Sequence, residues 1–214
     1  MEPPPLVLAS GSPRRRELLA RLGLPFAVET SDEPEEVDSG LAPEMQVLVL
    51  AERKARAVAA QHPGGLVIGG DTEVALAGEI LGKPRDDGDA AAMLGRLSGH
   101  IHEVWTGLAV IDAGSGRLER QAVPSTLRFR SLSATEIAAY VATGEGRDKA
   151  GAYAIQGAGG GLVETLIGCW TNVVGLPLCE TAALLRRFGV AIPAADPVCT
   201  RPDGTRCPRL PACA

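Results

Sequence analysis

Leu6-Val-Leu-Ala-Ser-Gly-Ser-Pro-Arg-Arg-Arg-Glu-Leu-Leu-Ala-Arg-Leu-Gly23 is the stretch from which the fold is read. Leu6 to Ala9 is a strand-sized apolar run that stops at Ser10, Gly11, Ser12 and Pro13. Leu18, Leu19 and Leu22 then recur at helical spacing up to Gly23, so the segment reads strand, tight loop, helix. Such a junction turns unpaired N–H groups and the positive end of a helix towards an anion. Ser10 and Ser12 can donate to phosphate oxygens, and Arg14 and Arg15 can fork onto them. The same residues also suit a plain helix start, with Ser12 as cap, Pro13 in the first turn and solvated arginines, and both readings can hold together. The stretch is not a Walker loop, because no Gly-Lys-Ser/Thr follows at the required spacing.

Outward from this unit, residues 26–28 form a second strand candidate, and the acidic, Pro34-bearing stretch 32–38 reads as a loop. Val47, Leu50, Ala51, Ala55 and Val58 place one amphipathic helix over residues 43–60, with Lys54 riding on it and Pro63, Gly64 and Gly65 ending it. The apolar run 66–68 breaks at Gly69 and Gly70 and continues as Asp71-Thr-Glu-Val74, a buried strand carrying a carboxylate near its end. Gly78 and Gly82 bracket a turn. A helix from about Asp89 to Leu97 leads to two long strands, 101–111 and 119–129, joined as a hairpin by Gly114-Ser-Gly116. Ser133 with Glu136 makes a capping box for a helix to about Ala142. A last helix is expected over 178–188, and little order after Ile192.

The 214 residues, 45% hydrophobic, suit one globular domain or two tightly joined lobes. We divide them into a domain over residues 1–192 and a poorly ordered tail over 193–214. The net charge of -5 and the absence of a long basic run argue against duplex nucleic acid, so an anionic ligand must be met by a local cationic cluster. No apolar run is long enough to span a bilayer, and the N-terminus lacks signal-peptide character, so the expectation is a soluble cytoplasmic protein. The odd count of five cysteines in such a compartment argues for reduced thiols. Cys199, Cys207 and Cys213 crowd a proline-rich tail without the paired clips of a zinc site.

Three stretches carry chemistry. Beside the junction 10–16, Gly69-Gly-Asp-Thr72 with Lys83-Pro84 offers a carboxylate with room for a hard cation and a lysine to neutralise phosphate charge. The bland alternative for Asp71 is a turn residue bonded to its own backbone. Gly144-Glu-Gly-Arg-Asp-Lys-Ala-Gly-Ala-Tyr-Ala-Ile-Gln-Gly157 has four glycines and an amide, Gln156, able to give and accept hydrogen bonds at a base edge. His100 and His102 would share a strand face, but with no third ligand both are read as structural.

Together with Leu97-Ser-Gly-His100 and Val173-Val-Gly-Leu-Pro-Leu178, these stretches resemble the Maf-like family, in order and spacing, from about Leu6 to Phe188. The resemblance implies an α/β fold, a mixed central sheet flanked by helices, in two lobes around a cleft. It implies hydrolysis of a nucleoside triphosphate between the α and β phosphates, with a divalent metal, Mg or Mn. Asp71 matches the family's catalytic acidic residue, the proton acceptor that activates water, and a metal ligand, Lys54 and Lys83 its phosphate-binding lysines, and Glu35 best matches a second acidic position. Arg14, Thr72 and Gln156 stand where members acting on dTTP and UTP carry Arg, Thr and Gln, so these two nucleotides are the expected substrates. A homodimer is the family-based expectation. Glu73 departs from the pattern, standing where an apolar residue is usual. Alternatives are a purine or modified-base preference, or a nucleotide-binding regulator of cell division.

Overall fold

The computed structural model describes residues 4–31, 40–192, 199–201 and 203–205. Strand β1 (Leu6–Ala9) runs through the loop 10–12 into α1 (Pro13–Ala20), as the opening stretch predicts. Ser12 is the N-cap, its hydroxyl accepting from the Arg15 N–H, and Pro13 takes the first turn, where its missing N–H costs nothing. Strand β2 (Ala27–Glu29) and helix α2 (Pro43–Ala59) follow within one residue of their expected bounds. The acidic stretch 32–38, including Glu35, lies outside the described residues.

Strand β3 (Leu66–Leu76) corrects the sequence reading. It passes through Gly69 and Gly70 without a break, so Asp71 sits mid-strand rather than near a strand end. The glycines are there for packing. A Cβ on Gly69 would stand 2.1 Å from the Ala51 carbonyl, and one on Gly107 would stand 2.1 Å from that of Val47. Both carbonyls belong to α2, which lies directly on the sheet because these two positions have no side chain. Ala77 and Gly78, both at positive φ, then turn β3 back into β4 (Glu79–Leu81).

Helix α3 (Asp87–Leu97) starts earlier than expected because Asp86, not a later residue, caps it by accepting from the Asp89 N–H. Strands β5 (Ile101–Asp112) and β6 (Leu118–Phe129) form the expected hairpin. Helix α4 (Ala134–Ala142) carries the full Ser133/Glu136 capping box. After two short 3-10 turns come β7 (Val163–Ile167), α5 (Trp170–Val174) and α6 (Leu178–Arg187).

Among the described residues the sheet has seven strands in the order β2-β1-β3-β5-β6-β7, with β4 added on β3. Pairings β2-β1-β3 are parallel and the rest antiparallel, so the sheet is mixed and the fold is α/β. Alternation decides what each face holds. Val7, Ala9, Val67 and Ala109 pack under α2 against Ala51, Ala55 and Val58. Leu6, Leu8, Leu66, Ile68, Leu108 and Val110 turn the other way, onto α1, α5 and α6. A further core, with Val74, Leu94, Leu97, Val104, Leu127 and Phe129, gathers α3 and α4 at the far end of β3 and β5. Between the two ends of these long strands opens a cleft.

Candidate active site

The cleft encloses about 820 Å³, within the range for a nucleotide-sized ligand. Ser10, Ser12, Arg14, Arg15, Lys54, Asp71, Thr72, Lys83 and Gln156 all line it. Nine of the ten residues singled out from the sequence are thus brought to one wall or another of a single cavity. The tenth, Glu35, lies outside the described residues.

Its floor is the middle of β3. Asp71 points to the α2 face, where Lys54 Nζ lies 2.7 Å from Asp71 Oδ1. The carboxylate is 6% exposed and the ammonium residue 9%. An isolated charge at such depth is strongly disfavoured, so each group is the condition for the other. Asp71 Oδ2 is buried and has no hydrogen-bond partner among the described residues. That oxygen is the acceptor the cleft leaves unspent.

Thr72 points to the opposite face and is fully engaged. Its Oγ1 accepts from Arg15 Nη2 at 3.1 Å and lies 2.9 Å from Thr106 Oγ1, which in turn donates to the Asn172 carbonyl. Arg15 also donates through Nη1 to Ser10 Oγ and through Nε to the Gly175 carbonyl at 2.9 Å. Gly70 leaves room for this guanidinium, since a Cβ there would stand 3.3 Å from Arg15 Nε. Arg15 therefore ties the loop 10–12, β3 and the end of α5 together. Arg14 differs from it: its Nε is buried with no hydrogen-bond partner among the described residues. Burial pushes the Arg14 guanidinium below its ordinary pKa, an effect that the nearby Asp148 partly offsets.

The third wall is the loop from Gly144 to Gly157. Lys149 and Asp148 pair on its cleft side and line the cavity with Gln156 and Tyr153. The loop is shaped by Glu145, which no reading of the sequence singled out. Its carboxylate accepts from Tyr140 Oη at 2.8 Å, the Ala158 N–H at 3.1 Å and the Gly159 N–H at 3.0 Å. A Cβ on Gly157 would fall 1.6 Å from Glu145 Oε1, so the turn beside Gln156 closes on this carboxylate only because residue 157 is glycine. Lys149 and Gln46, also in the lining, were missed as well. A charged pair inside a glycine-rich loop was the available signal for Lys149.

The histidines do not meet at a shared ligand. His100 Nδ1 lies 2.8 Å from the Ser98 carbonyl, whereas His102 is buried with Nε2 2.9 Å from Tyr153 Oη. Both serve the structure. Cys169 and Cys199 are reduced thiols, as expected, whereas Cys179 departs from that expectation, since it is disulfide-bonded.

The chain matches the family model described as Maf-like protein over residues 5–188. The chain belongs to the Maf-like family. It is 53% identical over 189 residues to a Myxococcus xanthus protein, covering 88% of this chain and 94% of that one. An Anaeromyxobacter dehalogenans (strain 2CP-1) protein is 55% identical over 192 residues, 89% of this chain and 97% of its own length. A Pelotomaculum thermopropionicum protein is 50% identical over 184 residues, 86% and 96% of the respective chains. Each of these three Maf-like relatives is named dTTP/UTP pyrophosphatase. Among the described residues no helix is long and apolar enough to cross a membrane.

Proposed function

We propose that this Maf-like protein is a cytoplasmic pyrophosphatase that hydrolyses dTTP and UTP to the monophosphate and pyrophosphate, and that it works as a homodimer. The observation that carries the reading is the buried Lys54–Asp71 pair, with Asp71 Oδ2 unspent, on the floor of a cleft walled by Arg14, Lys83 and Gln156. The names of the relatives agree with it.

In this reading Asp71 Oδ2 accepts a proton from a water that attacks the α phosphorus. The bond from that phosphorus to the bridging oxygen breaks, and pyrophosphate leaves towards the cationic walls. Arg14, Lys54 and Lys83 hold phosphate oxygens and stabilise the charge that shifts onto the leaving group. Ser10, Ser12 and the first N–H groups of α1 form the cradle, and Arg15 keeps it in register with β3. An unspent buried carboxylate oxygen fits a hard divalent cation, Mg or Mn, with Asp71 and Glu35 as its carboxylates. Such an ion supplies charge neutralisation along the phosphates. Gln156 suits a thymine or uracil edge, because its amide can donate to O4 and accept from N3–H. Thr72, spent on Arg15 and Thr106, acts on base choice by fixing the wall against which the base lies.

The test is pyrophosphate release from a panel of canonical and modified nucleoside triphosphates, with Mg or Mn and with a chelator. dTTP and UTP should be preferred and the activity lost with chelator. Cleavage of another base would reject the specificity, and no cleavage at all would leave a nucleotide-binding protein. Asp71→Asn should lower turnover at least 1000-fold on the scale of removing a catalytic base; near-normal activity in a folded variant would sink the assignment of Asp71.

A further inference from the structure

Among the described residues five cations line the cleft, Arg14, Arg15, Lys54, Lys83 and Lys149, and only Lys149 has no part in the reaction proposed above. It comes from the loop 144–157 rather than from the β1–α1 junction that supplies the two arginines. Its place there is fixed by the backbone. The Lys149 N–H donates to the Gly146 carbonyl at 3.1 Å, and the Lys149 carbonyl accepts from the Ala152 N–H at 3.1 Å. The Gly151 N–H donates to the Gly82 carbonyl, also at 3.1 Å, which ties the loop to the turn that carries Lys83. Gly151 has φ +69°, and a Cβ on it would stand 3.0 Å from both Val74 methyls, so the loop lies directly on β3. None of these bonds uses the lysine side chain.

That side chain is 15% exposed, and among the described residues the one side-chain partner of its ammonium is the carboxylate of Asp148, whose side chain is 76% exposed. Water screens such a pair and makes it weak, so the pair is not what shapes the loop. The same carboxylate acts on Arg14, offsetting part of what burial takes from the guanidinium's pKa. Arg14 Nε nevertheless stays buried with no hydrogen-bond partner among the described residues. One exposed carboxylate thus serves two cations that come from different elements, and it satisfies neither. An anion with more oxygens and more charge would satisfy both, and a phosphate group is such an anion. Depth decides which phosphate it is. The α phosphorus must lie at Asp71, on a floor only 6% exposed, whereas Asp148 stands in solvent at the mouth of the cleft. A group that replaces the Asp148 carboxylate therefore belongs to the far end of the phosphate chain.

We propose that Lys149 and Arg14 grip a phosphate of the departing pyrophosphate between them, and that Asp148 is a stand-in anion that holds these two cations until the nucleotide enters and then gives way to that phosphate. The identity of the anion rests on the pyrophosphatase reading. The loop that presents Gln156 to the base then also measures the phosphate chain, so that base identity and triphosphate length are both read by residues 144–157.

The experiment is titration calorimetry on the full chain with magnesium present, using pyrophosphate and dTMP as separate probes, neither of which needs turnover. Lys149→Gln should weaken pyrophosphate binding about tenfold, the scale of a lost hydrogen bond to a charged group, and dTMP binding by no more than about twofold. Lys149→Arg keeps the charge and should recover most of the loss. Asp148→Asn removes the competing anion and should tighten pyrophosphate binding at least about threefold. A lysine that served only the shape of the loop would weaken both probes alike and leave Asp148→Asn no tighter than the wild type. Either of those results, an unchanged pyrophosphate affinity in Lys149→Gln, or a wild type that binds no pyrophosphate would overturn the proposal. Hydrolysis of dTTP and UTP by the wild type is scored apart. If it is absent while pyrophosphate affinity follows Lys149 and Asp148 as stated, the pyrophosphatase reading fails and the phosphate seat stands.

Discussion

At the scale of single residues, the site turns on how its charges are shared out. Lys54 and Asp71 are both nearly dry and 2.7 Å apart, so removing either charge strands the other. Lys54→Met should therefore cost about 3–5 kcal/mol of folding stability, read from urea midpoints. The double variant Lys54→Met/Asp71→Asn should recover part of this loss, and strictly additive losses would show that the pair is not coupled. Glu145 acts one step from the ligand, through the backbone of the loop that presents Gln156. Glu145→Gln puts an amide N–H where a carboxylate oxygen now accepts from Ala158 or Gly159. A lost pairing of this kind costs about 1–3 kcal/mol. The expected signature is a rise in KM for dTTP of about tenfold with kcat within twofold. A fall in kcat alone would place Glu145 in the chemical step instead.

At the scale of elements, the sheet and α2 meet where two glycines permit it. Gly107→Ala sets a methyl 2.1 Å from a backbone carbonyl of α2 that has no rotamer to retreat into. The expected loss is at least about 1–3 kcal/mol, the range for overpacking. Gly95, inside α3, has nothing within 4 Å of its would-be Cβ, so Gly95→Ala should instead stabilise by about 0.5–1 kcal/mol. Calorimetry on both variants separates contact from helix propensity: if both lose stability, the packing explanation for Gly107 fails. The same pair shows what was legible in the sequence. Ser133/Glu136 and the leucines of α1 are local signals of cap and period, and those elements came out within a residue or two. Gly69-Gly70 also looked like a local signal, a break. Its meaning lay in Ala51, eighteen positions earlier in the chain, so no local reading could place Asp71 mid-strand. Arg15 went the same way. Its type announced a phosphate ligand, while its partners, Ser10, Thr72 and Gly175, are known only from the fold.

At the scale of the whole molecule, acid stability offers a test that does not depend on the active site. His102 sits in the core at the far end of β5, edge-on to Phe129 and Tyr153. Burial lowers its pKa from 6.5 to about 4. The unfolded chain takes up a proton at this residue below about pH 6.5, whereas the folded chain resists it until about pH 4. His102 therefore costs the fold nothing above pH 6.5 and draws stability down as the pH falls between the two values. At about 1.4 kcal/mol per pKa unit the full loss is about 3 kcal/mol. Carboxylates add theirs lower down. Asp89, held at about 2 by Arg85, and Glu136, held at about 2 by the Ser133 N–H and hydroxyl and by Arg130, lose their contribution only as the pH falls through and below the ordinary carboxylate range. The window from pH 6.5 to 4.5 thus belongs to histidine. Urea midpoints measured across it should fall steadily in the wild type. In His102→Gln, which can still bond Tyr153 Oη but takes up no proton, the slope should flatten even though stability at pH 7.5 is lower. An unchanged slope would remove His102 from the account of why this core prefers neutral pH.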